Sequence, residues 1–267
     1  MLPVNAVDST WSDCAPLITP VELINRHLFN IPLKSKFVNP ITGELDIYDE
    51  PLLKIMIQEA VTLAEMELQI DIFERQYVER HPYDQKAMES FGYFTIDHRP
   101  CNAVQELAVV SSDGIKVWNV PIEWIDSGKL QYGQINMMPF AVAASSGVAV
   151  PITQPVGAGL LPGLFRFTWV PQLFNITYTT GFPNGRIPNI INHFIGVVAA
   201  CEILSQLATT YAYTNSISIG VDGFSESQSL PGPQIFQIRL GELMDKRHWM
   251  AAKIKRLYGL GAMFNNV

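Results

Sequence analysis

The sequence predicts an α+β protein: a helical bundle with an inserted antiparallel β subdomain and a long neutral loop. Apolar residues recur at three- and four-residue spacing over 53–68 and again over 190–207, which indicates helices near both ends. Between them, short runs of β-branched and aromatic residues bounded by Gly, Pro or Asp indicate strands. The first helix is remote from the last two yet needs their apolar faces, so the β region is predicted as an insertion.

The first 48 residues are predicted to form an arm with one short helix. Thr19-Pro20-Val21-Glu22 has the pattern of a capping box with proline at the first helical position, and the helix should run to about Phe29. Pro32, Pro40 and the Thr42-Gly43 turn then indicate loop.

A long helix is predicted to open at Asp49-Glu50-Pro51, where acidic residues favour the positive end of a helix. It should end near Arg80, because His81 precedes Pro82. Together with residues 183–260, residues 49–90 are predicted to form the bundle. One face is apolar and consists of Leu53, Ile57, Ala60, Ala64 and Leu68.

Residues 91–182 are predicted to form the β subdomain of five or six strands. The candidate strands are 93–96, 104–110, 116–120, 134–138, 165–170 and 174–180.

Two helices are predicted in the C-terminal third. The first follows Arg186-Ile187-Pro188 and is apolar nearly all round, which predicts burial on several sides. The second runs from about Gln234 to Tyr258, has a basic far half, and precedes a tail at 261–267. The stretch SISIGVDGFSESQS, 216–229, is predicted to be a surface loop between them.

The segment 130–165 contains no Asp, Glu, Lys, Arg or His. Its prolines, serines and glycines interrupt any run long enough for a membrane helix, so no membrane span is predicted there. A loop this neutral is expected to lie against a neighbouring subunit or a partner, although it could also fold over its own sheet. The predicted inter-subunit contacts are Phe140, Val148, Val150, Leu160, Leu161 and Phe224.

The composition also favours burial between chains. The chain is 48% hydrophobic and only 16% charged, against about 25% charged in typical globular domains. The net charge of −7 argues against a protein that grips DNA phosphates, but suits a surface that DNA passes without specific binding.

No residue is predicted to be catalytic, to bind a cofactor or to bind a metal, and the chain is not predicted to be an enzyme. Ser225 lies in Gly223-Phe224-Ser225-Glu226-Ser227, which lacks the second glycine of a nucleophile elbow. The five histidines show no metal-ligand spacing. They are His27, His81, His98, His193 and His248.

Three segments together resemble the head-to-tail connector (adaptor, or neck) proteins of tailed bacteriophages. The first is YDEPLLKIMIQEAVTLAEMEL (48–68), which is similar to their opening helix. The second is HRPCNAVQELAV (98–109) with VPIEWIDSGKLQYGQINMMP (120–139). The third is YTTGFPNGRIP (178–188), followed by an apolar helix and a glycine- and serine-rich connection.

The resemblance implies a structural virion protein in the neck, made in the host cytoplasm. It implies a homo-oligomeric ring, commonly of twelve subunits, that joins the portal to the tail or to a second neck protein and leaves a passage for DNA. Portal contact is expected near the C-terminus, where basic and amphipathic residues are concentrated. The candidates are Lys246, Arg247, Trp249, Lys253, Arg256, Tyr258, Met263 and Phe264.

Two other functions remain open from the sequence. One is a receptor-binding or tail-tip module that uses aromatic surface such as Trp118, Trp124 and Trp169. The other is a hydrolase with a catalytic site in the β subdomain. A clustered His/Asp/Ser set in a cleft would favour the hydrolase, and exposed tryptophans lining a shallow pocket would favour the tail-tip module.

Overall fold

A computed structural model gives the structure of residues 4–5, 14–29, 31, 33–38, 45–47, 49–84, 86, 93–111, 113–137, 168–212, 217–221, 224–228 and 234–258. The chain divides into two compact units. The helical unit comprises Ala15–Gln69 and Ile187–Leu257, and the β unit comprises Met1–Cys14, Ile70–Arg186 and Tyr258–Val267. Helices and antiparallel sheets are both present, so the predicted α+β class is confirmed.

Within its described residues, the helical unit contains four helices. They are α1 (Pro20–His27), α2 (Glu50–Leu68), α3 (Asn189–Ala212) and α4 (Gln234–Leu257). The predicted capping box of α1 is confirmed, because the Thr19 hydroxyl accepts from the Glu22 backbone N–H and the Glu22 carboxylate accepts from the Thr19 backbone N–H. At α2 the Asp49 carboxylate accepts from the Leu52 N–H at 3.0 Å.

The prediction that α2 continues to Arg80 is wrong. The helix ends at Leu68, and Gln69 follows in the left-handed conformation with a φ of 56°. Residues Arg75–Asp84 form a strand in which Tyr77, Glu79, His81 and Tyr83 are more buried than their neighbours, as alternation along a strand requires. The strand lies at the edge of its sheet, where Pro82 removes no needed hydrogen bond.

Helix α3 is the centre of the helical unit, with α1, α2 and α4 packed against it. Among the described residues it is the one helix long and apolar enough to cross a membrane, with a mean hydropathy of 1.6 over Asn189–Thr209. However, 72% of that window is buried inside the protein, as expected for the core helix that its sequence predicts. Asn192 also fixes the arm to α3: its amide oxygen accepts from the Ile18 N–H at 2.8 Å, and its amide nitrogen donates to the Pro16 carbonyl at 2.7 Å.

The strands, in chain order, are mostly short. They are β1 (Val4–Asn5), β2 (Cys14–Ala15), β3 (Lys34–Val38), β4 (Leu45–Ile47), β5 (Arg75–Asp84), β6 (Tyr93–Thr95), β7 (Cys101–Val110), β8 (Lys116–Asn119), β9 (Ile125–Asp126), β10 (Gln134–Met137), β11 (Trp169–Thr180), β12 (Ile187–Pro188), β13 (Ile217–Val221) and β14 (Phe224–Gln228).

The β unit is built on a five-stranded antiparallel sheet in the order β1-β7-β11-β5, with β8 also paired to β7. A second sheet has the order β6-β10-β9. The two sheets share one apolar core whose largest fully buried members include Leu107, Leu130, Ile135 and Tyr178. Two strands predicted separately at 165–170 and 174–180 are one strand, β11, within the described residues.

The stretch predicted as a surface loop, 216–229, contains a β-hairpin instead. Strand β13 pairs antiparallel with β14 in a register that runs from Ile217 opposite Gln228 to Val221 opposite Phe224. Only Asp222 and Gly223 separate the strands in the sequence, and Asp-Gly is a favoured two-residue hairpin turn. The alternation of Ile217, Ile219 and Val221 with smaller residues is a strand pattern.

Candidate interaction surface

Helix α2 has an exposed apolar face opposite its buried face. Its buried residues, Leu53 to Leu68, pack within the unit. The outer face of α2 consists of Leu52, Ile55, Glu59, Thr62 and Met66, at spacings of three, four, three and four residues. This spacing places all five on one side of a helix, on the side away from the buried residues.

The side chains of this outer face are well exposed. Leu52, Ile55 and Met66 have 39%, 51% and 72% of their surface accessible, which is unusual for three aligned large apolar residues. The Thr62 hydroxyl donates to the Gln58 carbonyl on its own helix at 3.3 Å, so its polar atom is satisfied. Glu59 is then the single charge on the face.

Helix α4 is two-sided in the same way. Phe236, Leu243, Met250 and Ile254 form its buried face. The outer face of α4 carries Ile238 and Trp249, which are 67% and 61% exposed. The residues of this outer face are spaced alternately by four and three positions, which places them on one side of the helix. They are Ile238, Glu242, Asp245, Trp249, Ala252 and Arg256. Lys246 and Lys253 flank this face.

The charges on the outer face of α4 are not evenly distributed. Glu242 pairs with Arg239 on the same helix at 2.8 Å, while Lys246, Lys253 and Arg256 make the C-terminal half basic. The Lys253 ammonium lies 5.0 Å from the centre of the Trp249 ring, within the range of a cation–π contact. No ion pair of Lys253 or of Glu59 occurs among the residues that the structure describes.

The residues predicted for portal contact divide between two faces of α4. Lys246, Trp249, Lys253 and Arg256 lie together on the exposed side. Arg247 faces inward, and its guanidinium donates to the Glu67 carboxylate on α2 at 2.7 Å.

Tyr258 is also engaged within the protein. It lies edge-on to Phe182 with ring centres 5.9 Å apart, and burial raises the pKa of its hydroxyl. Met263 and Phe264 lie outside the described residues.

The predicted inter-subunit contacts fall almost entirely outside the described residues. This holds for Phe140, Val148, Val150, Leu160 and Leu161 in the neutral segment. Phe224 begins β14, and its backbone alone is described. These contacts stay predictions.

The β unit contains a polar cluster where a catalytic site could have been expected. The Asp71 carboxylate accepts from the Thr180 hydroxyl at 2.8 Å and from the Arg75 guanidinium at 3.2 Å. The Glu79 carboxylate accepts from the Tyr178 hydroxyl and lies 3.0 Å from the His81 Nε2 atom. Both carboxylates thus have partners within the unit.

His98 lies between these two carboxylates. Its Nδ1 atom is 3.6 Å from Asp71 and its Nε2 atom is 3.9 Å from Glu79. Its ring stacks on Tyr77 with centres 3.7 Å apart. The backbone N–H of Asp71 donates to the Arg99 carbonyl at 2.6 Å, so the cluster joins β5 and β11 to the turn before β7.

The chemistry of this cluster favours a structural role. Burial, together with the hydrogen bond to Glu79, raises the pKa of Tyr178, so this hydroxyl stays protonated and donating. Burial also raises the pKa of the nearby Cys101 thiol to about 12, which leaves no thiolate near neutral pH. Within the described ranges, no group of three His, Cys, Asp or Glu side chains could hold a metal. That the chain is not an enzyme stays a prediction.

A second pair of titratable groups, of which one is buried, lies in the helical unit. The His27 side chain is buried, its Nε2 atom has no hydrogen-bond partner among the described residues, and its ring centre lies 4.8 Å from that of His193. Gly196 makes room for this ring, because a Cβ there would lie 2.6 Å from the Nε2 atom. Burial first, and then the nearby His193, Lys246, Arg26 and Arg239, lower the pKa of His27 to about 4.

The tryptophans proposed for a tail-tip module do not form one surface. Trp118 and Trp124 are partly buried, lie with ring centres 6.0 Å apart, and pack against the core of the β unit. Trp169 is 57% exposed. One exposed tryptophan does not make the shallow aromatic pocket that this alternative requires.

Comparisons with known proteins gave limited likeness. No protein-family model matches the chain, and no curated protein matches it. Among solved structures, a chain in the neck of an empty gene transfer agent particle is 14% identical and has a TM-score of 0.35, over 90% of this chain and 95% of that chain. A chain in the virion of a native gene transfer agent particle is 16% identical at the same TM-score, over 90% and 93%. Likenesses of this size do not establish a shared fold or a shared role.

Proposed function

We propose that this chain is a structural virion protein of the neck, a head–tail connector that assembles into a homo-oligomeric ring between the portal and the tail. The observation that carries the proposal is that α2 and α4 each have an exposed apolar face opposite a buried one. Such faces are stable when another chain covers them.

The arrangement of the faces suits a ring. Each copy carries two different outer faces on two helices that both pack against α3. A contact between unlike faces is heterologous, and repeated contacts of this kind close into a ring when the rotation allows. Twelve copies, the number that the family resemblance implies, is the stoichiometry we propose.

The charge of the chain suits a passage for DNA. A net charge of −7 per copy multiplies around a ring, and a negative lining repels phosphates and so lets DNA pass without binding. Contact with the portal is proposed at the C-terminal end, where Met263 and Phe264 follow α4 in the sequence. The tail or a second neck protein would contact the opposite side of the ring.

The test is assembly of the full chain, alone and with the portal of the same virus. Light scattering after size exclusion, with negative-stain imaging, should show ring-shaped oligomers or rings attached to the portal. The proposal would be contradicted if the chain stays a compact monomer at every concentration and does not bind the portal.

A further inference from the structure

We propose that the outer face of α2 in one copy packs against the outer face of α4 in a second copy, with Trp249 seated over Thr62 and Lys253 paired with Glu59. This inference rests on the proposed self-assembly and names the surfaces that meet. It also assigns Trp249, Lys253 and Arg256, predicted from the sequence as portal contacts, to the neighbouring copy.

The spacing of both faces is the first observation. The outer faces of α2 and α4 each alternate steps of three and four residues, as seams of packed helix pairs do. The α2 face spans residues 52–66, about 21 Å at 1.5 Å per residue, and the α4 face spans 238–256, about 27 Å. The two faces therefore share a period, and the α2 face is about 6 Å shorter than the α4 face.

Charge favours this unlike pairing over pairing of α2 with itself. Glu59 is the middle residue of the α2 face, so two antiparallel α2 faces centred on each other would place Glu59 opposite Glu59. The outer face of α4 instead offers Lys253, which has no ion pair among the described residues. Opposite charges at a contact favour the correct partner, and like charges oppose the wrong one.

Shape points to the same register. Trp249 is the largest exposed side chain on α4, and Thr62 is the smallest residue on the α2 face. When the helices run antiparallel and Trp249 lies over Thr62, Ala252 and Lys253 come opposite Glu59. The same register places Arg256 beside Ile55 at one end of the contact and Asp245 beside Met66 at the other. The ion pair of Lys253 with Glu59 lies between them.

The experiment is a charge-reversal cycle on the full chain. Glu59→Lys and Lys253→Glu are each expected to weaken self-association about tenfold or more, and the double variant is expected to recover most of that loss. The association constant is measured by analytical ultracentrifugation at low and high salt. Glu123→Lys, which makes the same charge change at an exposed site in the β unit, is the control and should leave association unchanged.

Each outcome decides something. If neither single variant changes the association constant, the pairing of these faces is wrong, and the proposed function still stands. If both single variants weaken self-association and the double variant does not recover it, the register that pairs Glu59 with Lys253 is wrong. A wild-type chain that stays monomeric, with the outer face of α2 covered by the chain's own segments, overturns the pairing and the proposed assembly together. Trp249→Ala, which changes no charge, should weaken association as much as either reversal, and an unchanged constant would also count against the pairing.

Discussion

The two units differ in where their clustered polar and aligned apolar side chains lie. In the β unit, Asp71 and Glu79 turn inward, and donors from the same unit satisfy them. In the helical unit, Ile55, Met66 and Trp249 turn outward, where nothing in the described structure covers them. The β unit therefore satisfies its inward carboxylates with its own donors, whereas the helical unit presents aligned apolar faces that another chain can cover.

The largest effect that would sharpen this contrast is expected at Gly181, just after β11. Its φ is 81°, and an added Cβ would lie 2.2 Å from the Phe73 carbonyl oxygen. Gly181→Ala should reduce the free energy of unfolding by about 3–5 kcal/mol, because both backbone strain and a backbone clash oppose it. Urea unfolding followed by circular dichroism measures the change.

Gly185 provides the matched control. It also has a positive φ, 64°, but nothing lies within 4 Å of an added Cβ. Gly185→Ala should reduce the free energy of unfolding by about 1 kcal/mol, because only the strain of the left-handed conformation opposes it. Equal losses at the two glycines would show that the close approach of Gly181 to Phe73 does not constrain the β unit.

The next effect is expected from the inward carboxylate of Glu79. Glu79→Ala removes the acceptor of the fully buried Tyr178 hydroxyl, and an unsatisfied buried donor of this kind should cost about 2–3 kcal/mol. Glu79→Gln keeps an acceptor oxygen and should cost less. Thermal or urea unfolding gives the difference.

Glu106 is the comparison for Glu79. It pairs with Lys116 at 2.6 Å on the exposed surface, and exposed pairs of this kind contribute under about 1 kcal/mol. A loss at Glu106→Ala as large as that at Glu79→Ala would break the distinction between the inward cluster and the surface.

A somewhat smaller effect is expected from acid on the helical unit. His27 has a pKa lowered from 6.5 to about 4, first by burial and then by His193, Lys246, Arg26 and Arg239. The unfolded chain binds this proton more readily, so stability is full above pH 6.5 and is lost as pH falls towards 4. Between pH 7.5 and pH 5 the loss should be about 2 kcal/mol.

Urea unfolding at a series of pH values measures this dependence. A His27→Leu variant should lose most of the acid sensitivity attributed to this site, whatever its stability at neutral pH. His248→Gln, at an exposed position of α4, should keep it. If His27→Leu has the same pH dependence as wild type, His27 is not the group responsible.

Local signals predicted much of the fold. The capping box at Thr19 and the extent of α4 could be predicted, because helix caps and helical periodicity depend on residues close together in the sequence. The strand β5 was missed because its inward residues are polar or amphipathic, which hides the usual alternation of apolar and polar residues. The β13–β14 hairpin was missed although Asp222-Gly223 is a turn signal, because serines and glycines surround it.

The candidate surface was only partly predictable. Four of the predicted portal-contact residues do share one exposed face of α4, but Arg247 turns inward to Glu67, a partner 180 residues away in sequence. The outer face of α2 was missed because the apolar residues of its buried face account for the periodicity on their own. The polar cluster joins Asp71 to Thr180 across 109 residues, and no local motif carries that information.

The most direct test of the account is the mass of the full chain in solution before and after the outer face of α2 is made polar. The triple variant Leu52→Ser, Ile55→Ser, Met66→Ser changes exposed side chains, so the variant should remain folded, with the circular dichroism spectrum of the wild type. Mass photometry should find the wild-type chain as an oligomer and the triple variant as a monomer. Equal masses for the two folded proteins would contradict the claim that this face is covered by another copy.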